Sequence, residues 1–154
     1  MMTVFLGLDL GTSGLRALLV DENGATVGAA EAAYDVQSEQ DPAKWCAAVA
    51  ATLAELRQTH TAQMDALRGI GISGHMHGAT LLDAQGAVLR PCILWNDTRS
   101  HAEAAALDAA PKVRELSGNI VFPGFTAPKL MWVAQHEPDV FARVDKVLLP
   151  KDYL

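Results

Sequence analysis

FLGLDLGTSGLRALLVDENG, residues 5–24, is the stretch on which the reading of this chain turns. Residues 3–10 are almost continuously apolar and residues 15–20 nearly so, a composition that predicts two buried strands joined as a hairpin. Between them stands Gly-Thr-Ser-Gly, and just ahead of that turn an acid, Asp9, interrupts the apolar run. A carboxylate at a strand end, beside two glycines and two hydroxyls, suits Mg²⁺ carrying a phosphate. Gly11 and Gly14 let the backbone approach an anion, and Thr12 and Ser13 add hydroxyl donors. Asp9 would repel a bare phosphate but hold a metal-bound one, directly or through water. A plain hairpin turn, with Asp9 accepting from the next N–H groups, fits the same residues.

Outward from this hairpin, Glu22-Asn23-Gly24 is a second turn before a weaker strand at 25–33, which makes the opening a three-stranded meander. DPAKWCAAVAATLAELRQTH (41–60) reads as a helix lying on that sheet: Asp41 can cap it, Pro42 suits its first turn, and Trp45, Val49, Leu53 and Leu56 recur at helical spacing. LRGIGISG (67–74) supplies a strand, ATLLDAQGAVLRP (79–91) a small hairpin turning at Gln85-Gly86, and CILWND (92–97) an extended piece. Helices are expected at 98–109 and 127–136 and a strand at 145–150. The class is α/β, a mixed sheet opening βββαβ and flanked by helices. One domain is the simplest organisation, with no internal repeat or low-complexity linker. The apolar run to Leu154 predicts that the chain is part of a longer protein.

The chain has 154 residues, half of them apolar, and a formal net charge of −6. Without a Lys/Arg cluster this balance argues against nucleic acid or an anionic membrane as partner and leaves small polar ligands open. No apolar run approaches the roughly 20 residues of a membrane span, and no signal peptide is recognisable, so a cytoplasmic location is the expectation. Cys46 and Cys92 are far apart and read as reduced packing residues.

Gly69, Gly71 and Gly74 spell G-x-G-x-x-G, but they follow a helix and lie within a strand, the reverse of a dinucleotide fingerprint. No P-loop motif is present. His75 and His77 would share a face if they lay on a strand, yet two imidazoles do not make a zinc site; as polar groups at a strand end they could equally be packed or bind a polar ligand. LWNDTR (94–99) offers an indole face, an amide, a carboxylate and a guanidinium, the groups that polyol sites use. Read structurally, Asp97 or Thr98 would cap the next helix and Trp95 would be core.

Taken together, GLDLGTSGLRALLVDENG, SEQDPAKW, GISGHMHGATLLDAQGAVLRPCILWNDTR and GNIVFPGFTAPKLMWVAQHEP, running on to DKVLLPKDYL, resemble the N-terminal domain of the FGGY carbohydrate kinases over essentially the whole chain. GFTAPKLMW (124–132) fits the signature in which a hydroxyl residue, a lysine and a tryptophan recur at fixed spacing. The resemblance implies an actin-like, ribonuclease-H-like fold, with residues 1–154 forming most of a sugar-binding domain that closes with a second, nucleotide-binding domain on ATP and sugar. It implies that Asp9 helps organise Mg²⁺ and the transferred phosphate and that the turn Gly11, Thr12, Ser13 approaches the phosphates. Met76 and His77 would line the sugar site, with Trp95, Asn96 and Asp97 nearby. Glycerol-kinase relatives carry an Arg-Glu pair in place of Met76-His77 and an aromatic hydroxyl in place of Gly124; these departures count against glycerol and favour a ketopentose, and the resemblance as a whole implies D-xylulose, phosphorylated to its 5-phosphate. Another FGGY substrate (ribulose, a deoxysugar or glycerol) and a non-catalytic actin-like binding module stay open as alternatives. The general base and most of the adenine site are implied to lie beyond residue 154, leaving this chain alone inactive, and a homodimer is among the assemblies allowed.

Overall fold

The structure is a computed structural model that describes residues 3–154. From the N-terminus run strands β1 (Val4–Leu10), β2 (Gly14–Asp21), β3 (Thr26–Ala33) and the short β4 (Glu39–Gln40), helices α1 (Pro42–Thr59) and α2 (Thr61–Asp65), and β5 (Leu67–Gly74). There follow β6 (Thr80–Leu82), β7 (Cys92–Ile93), α3 (His101–Ala109), α4 (Val113–Ser117), α5 (Thr126–His136), α6 (Pro138–Phe141), β8 (Lys146–Leu148) and α7 (Pro150–Tyr153). The chain divides into two compact units, one holding residues up to 36 and 43–75, the other 37–42 and 76–153.

In the first unit the sheet has the order β3-β2-β1-β5: an antiparallel meander with β5 added parallel to β1, as the βββαβ reading requires. The turn between β2 and β3 is an Asx turn, in which Asp21 Oδ1 accepts from the N–H groups of Asn23 and Ala25, both at 2.9 Å, and Gly24 takes φ 83°. Helix α1 buries Trp45, Ala48, Thr52 and Leu56 along one stripe, and the hydroxyl of Thr52 donates back to the Ala48 and Val49 carbonyls.

β1 corrects the expectation of a strand buried on both faces. Val4, Leu6, Leu8 and Leu10 are buried while Phe5, Gly7 and Asp9 are exposed, so the apolar run hides a strict two-residue alternation. Asp9 therefore does not break the strand. It lies within β1 on the open face, paired with Arg16 of β2 and Ser73 of β5.

The second unit is built on two small antiparallel pairs, β4 with β7 and β6 with β8, and on the packing of α3 and α6 against α5. Ala79, Leu81, Ile93 and Val133 form its buried centre. Of the hairpin expected over 79–91, β6 is the first arm and the Gln85-Gly86 turn is present, with Asp83 Oδ1 accepting from Gln85 and Ala87 and Gly86 at φ 81°; its second arm is a single bridge from Val88 to Leu82 rather than a strand. α3 begins at His101 rather than residue 98: Asp97 Oδ1 accepts from the Arg99 N–H in an Asx turn ahead of the helix, and Ser100 stands at the N-cap position. β4, α2, α4, α6 and α7 were not expected; at five residues or fewer they are too short to show a period. Both cysteines are free thiols, but Cys46 is exposed and only Cys92 is a packing residue.

Candidate active site

Within the first unit, Asp9 Oδ1 accepts a hydrogen bond from Ser73 Oγ at 2.8 Å, which anchors the carboxylate from the neighbouring parallel strand. The 11–14 turn closes on itself, with Gly11 N–H donating to Gly14 O at 2.8 Å, so that N–H is committed inside the turn. A Cβ on Gly14 would come 2.7 Å from Ala32 O, a backbone atom that cannot retreat, which is why glycine ends the turn. Tyr34, just past the end of β3, braces the same turn from outside: its N–H donates to Ser13 O at 3.0 Å and its hydroxyl to Gly11 O at 2.6 Å. Burial and the nearby negative charge of Asp9 push the Tyr34 phenol up to about 12, so it stays a donor at neutral pH.

Asp9, Gly11, Ser13, Arg16 and Glu31 help line an open cleft of about 360 Å³. Arg16 Nε donates to Glu31 at 2.7 Å, an exposed pair that adds little stability. Arg16, Ser73 and Tyr34 were not singled out from the sequence. Arg16 had a signal, since the hairpin register sets it opposite Asp9; Ser73 lies on β5, whose pairing partner the sequence does not name, and Tyr34 lies just past β3 with no local pattern to mark it.

Asp9 is the group here that could hold Mg²⁺. Its second oxygen is available beside the Ser73 bond, and Mg²⁺ commonly takes only one or two carboxylates when substrate phosphates complete its shell. Among the described residues no cluster of three or more His, Cys, Asp or Glu could hold a metal ion. The His75-His77 pair is not a same-face pair either: His75 follows the end of β5, and His77 takes the left-handed φ of 62°.

In the second unit that left-handed residue is the key to the geometry. A non-glycine residue there costs roughly 1–2 kcal/mol, and three interactions hold it. Lys129 Nζ donates to His77 O at 2.7 Å, Thr126 Oγ1 donates to the same oxygen at 3.2 Å, and the His77 ring stacks on Phe125 with centroids 4.4 Å apart. Lys129, fully buried, also donates to Gly124 O at 2.7 Å. Gly124 in turn packs so closely on the next segment that a Cβ would lie 2.3 Å from Trp95 O. Burial pulls the Lys129 ammonium down to about 8, opposed by Cys92 and Asp97. Burial, then the Lys129 charge, lowers the His77 imidazole, which is therefore neutral at pH 7.

Met76 and Trp95 are exposed, at 56% and 45%, so Trp95 is not core. Asp97 is buried, and its oxygens accept from the Arg99 backbone N–H and Nε, each at 2.9 Å, and from Nη2 at 2.7 Å. Burial opposes the charge, but these Arg99 bonds and the Ser38 hydroxyl outweigh it and hold the carboxyl below its usual range. Arg99 is also paired with Glu39 at 2.6 Å and lies 4.9 Å over the Trp132 ring. Ser38, Asn96, Asp97, Thr98, Arg99 and Trp132 line a cleft of about 460 Å³. Of the five expected sugar residues, Asn96 and Asp97 line it; Met76, His77 and Trp95 do not, although Lys129 and Gly124 join their segments.

The spacing of GFTAPKLMW now has a physical reason. Thr126, Lys129 and Trp132 are three apart on α5 and share one helix face: the first two hold the 77 carbonyl, the third carries Arg99.

The N-terminal domain of the FGGY family of carbohydrate kinases matches residues 4–154. The chain belongs to this family. The xylulose kinase of Escherichia coli (strain K12) is 49% identical over 98% of the chain and 32% of its own length. The crystal structure of a xyloylose kinase from Brucella ovis superposes with a TM-score of 0.95 at 62% identity, over 97% of this chain and 33% of that one. A xylulose kinase from Rhodospirillum rubrum gives a TM-score of 0.86 at 36% identity, over 96% and 32%. The actin-like, mixed-sheet fold expected of an FGGY domain is thus borne out, and the chain spans about a third of the length of the relatives it matches. Among the described residues no helix is long and apolar enough to cross a membrane.

Proposed function

We propose that the protein of which this FGGY domain forms part transfers the γ-phosphoryl group of ATP to the terminal hydroxyl of D-xylulose, giving D-xylulose 5-phosphate and ADP. The observation that carries the reading is the likeness, across nearly the whole chain, to proteins named xylulose kinase, at 49% and 36% identity. The geometry is consistent with it. Asp9, anchored by Ser73, presents a carboxylate beside a hydroxyl-bearing turn, and Arg16 brings a guanidinium to the same cleft.

In this reading Asp9 orients the metal-bound phosphate, and Gly11, Thr12 and Ser13 shape the backbone against which the phosphates lie. Mg²⁺, when bound with ATP, supplies neutralisation of the charge on the transferring oxygens. Met76, His77, Trp95, Asn96 and Asp97 present the sugar, the neutral His77 ring and the Asn96 amide offering hydrogen bonds and Trp95 an apolar face. Asp97 acts mainly by fixing Arg99, since its carboxylate is taken up there. The general base and the adenine pocket belong to the part of the protein beyond residue 154, so residues 1–154 alone give no turnover. An ADP-release assay on the intact protein across D-xylulose, ribulose and glycerol tests this. The highest kcat/KM is expected for D-xylulose; a higher value for another acceptor overturns the substrate, and no ADP release with any of them overturns the kinase.

A further inference from the structure

The left-handed His77 and the close approach of Gly124 to Trp95 O are separate local oddities in the second unit, yet one side chain touches both segments. Lys129 is fully buried and directs its ammonium at two backbone carbonyls, His77 O and Gly124 O, each at 2.7 Å. A buried lysine is an expensive way to satisfy two carbonyl groups, which water or neutral donors satisfy elsewhere. One buried ammonium shared by carbonyls of two segments also fixes those segments relative to each other.

We propose that Lys129 is a positioning residue for the acceptor sugar: by tying the carbonyls of His77 and Gly124 together it holds the 76–77 turn in its left-handed form and, through Gly124, sets the 95–97 segment beside it. This rests on the reading of those two segments as the sugar contacts. The charged and titratable groups facing Lys129 are His77 from the turn, Cys92 of β7 and Asp97 of the following loop. The neutral imidazole and the thiol, which burial pushes up to about 11, leave Asp97 as the anion nearest to balancing the ammonium. Because the ammonium bonds main-chain oxygens, it uses no side-chain atom of residue 77 or 124, and the Met76 side chain stays exposed for the ligand. Thr126, one turn earlier on the same face of α5, adds its hydroxyl to the His77 carbonyl and is the secondary support.

Lys129→Met in the intact protein tests it with two readouts. Without any sugar, amide hydrogen exchange at 76–79 and 95–97 is expected to accelerate about tenfold while the β1–β3 amides keep their rates. This arm needs no substrate and so stands apart from the kinase reading. In turnover, the sugar KM is expected to rise about tenfold or more with kcat and the ATP KM little changed. Lys129→Gln, which keeps N–H donors without the charge, should fall between variant and wild type in both. Unchanged exchange at 76–79, acceleration spread evenly over both units, or a loss confined to kcat overturns the proposal. So does failure of both variants to fold, which would make Lys129 a core residue. Wild-type protein inactive on every acceptor, with the exchange pattern as expected, removes the kinase reading and keeps Lys129 as the tie between the two loops.

Discussion

The Asp9 region and the His77 region put chemistry in place by opposite means. Asp9 stands on a regular strand, in register with Arg16 and Ser73, and one hydroxyl at 2.8 Å steadies it. His77 stands where the backbone is strained, and it is held by a buried cation 52 residues further along the chain. The first arrangement spends little stability and offers a side chain to the cleft. The second commits a lysine, a hydroxyl and a stacked ring to keeping one peptide group in place. Under the proposed function the contrast has a reason: a charge need only be present where phosphate arrives, whereas telling one polyol from another needs a fixed constellation of weak contacts.

If Asp9 acts through its charge alone, Asp9→Asn should give the largest effect of any change in either region. The amide oxygen can still accept from Ser73, so the fold should survive. kcat is expected to drop about a hundred- to a thousandfold, the usual loss of one preorganised electrostatic group. Steady-state kinetics on the intact protein, with the sugar KM little moved, would confirm it; kcat near the wild-type value would reduce Asp9 to a turn-forming residue.

The same contrast sets what could be read without a structure. Asp9, the glycine turn and the opening meander were legible because each is a local pattern: apolar runs of strand length, a turn composition between them, an acid inside the first run. Even there the alternation of β1 was masked by Phe5 and Gly7, apolar residues on the open face. The roles in the second unit were legible only as resemblance. Lys129 looks like any lysine of an amphipathic helix, and nothing local marks that its ammonium will reach His77 O. Asp97 read as a sugar ligand or a helix cap, and its pairing with Arg99, two residues on, was not legible. The short elements after residue 110 have no period to read.

Gly124→Ala probes the strained side of the comparison and should be the next largest effect. The added methyl would lie 2.3 Å from Trp95 O and 3.4 Å from its carbonyl carbon, so the two segments must part. Overpacking against backbone costs about 1–3 kcal/mol. The sugar KM should rise about tenfold, equivalent to about 1.4 kcal/mol, with kcat for bound sugar less affected. An unchanged KM alongside an unchanged melting temperature would mean that the 95–97 segment tolerates displacement and that its close packing is not part of the sugar site.

The smallest effect is expected at Tyr34, on the regular side. Its hydroxyl donates to Gly11 O at 2.6 Å, one of the two bonds by which Tyr34, just past the end of β3, steadies the 11–14 turn. Tyr34→Phe removes that bond but keeps the ring and the Tyr34 N–H bond to Ser13 O, so the loss should be about 1 kcal/mol at neutral pH, with kcat nearly unchanged. The pH dependence has a definite sign. Burial, with the charge of Asp9, raises the folded phenol from 10.0 to about 12. The neutral phenol therefore contributes stability that is whole below pH 10 and is lost as pH rises from 10 towards 12, because the unfolded chain releases its proton first. Denaturant midpoints followed between pH 8 and 12 should fall more steeply for wild type than for Tyr34→Phe. Parallel curves would show that the hydroxyl is effectively in solvent, and that Tyr34 N–H with the sheet register alone keeps the Gly11 to Ser13 turn in shape.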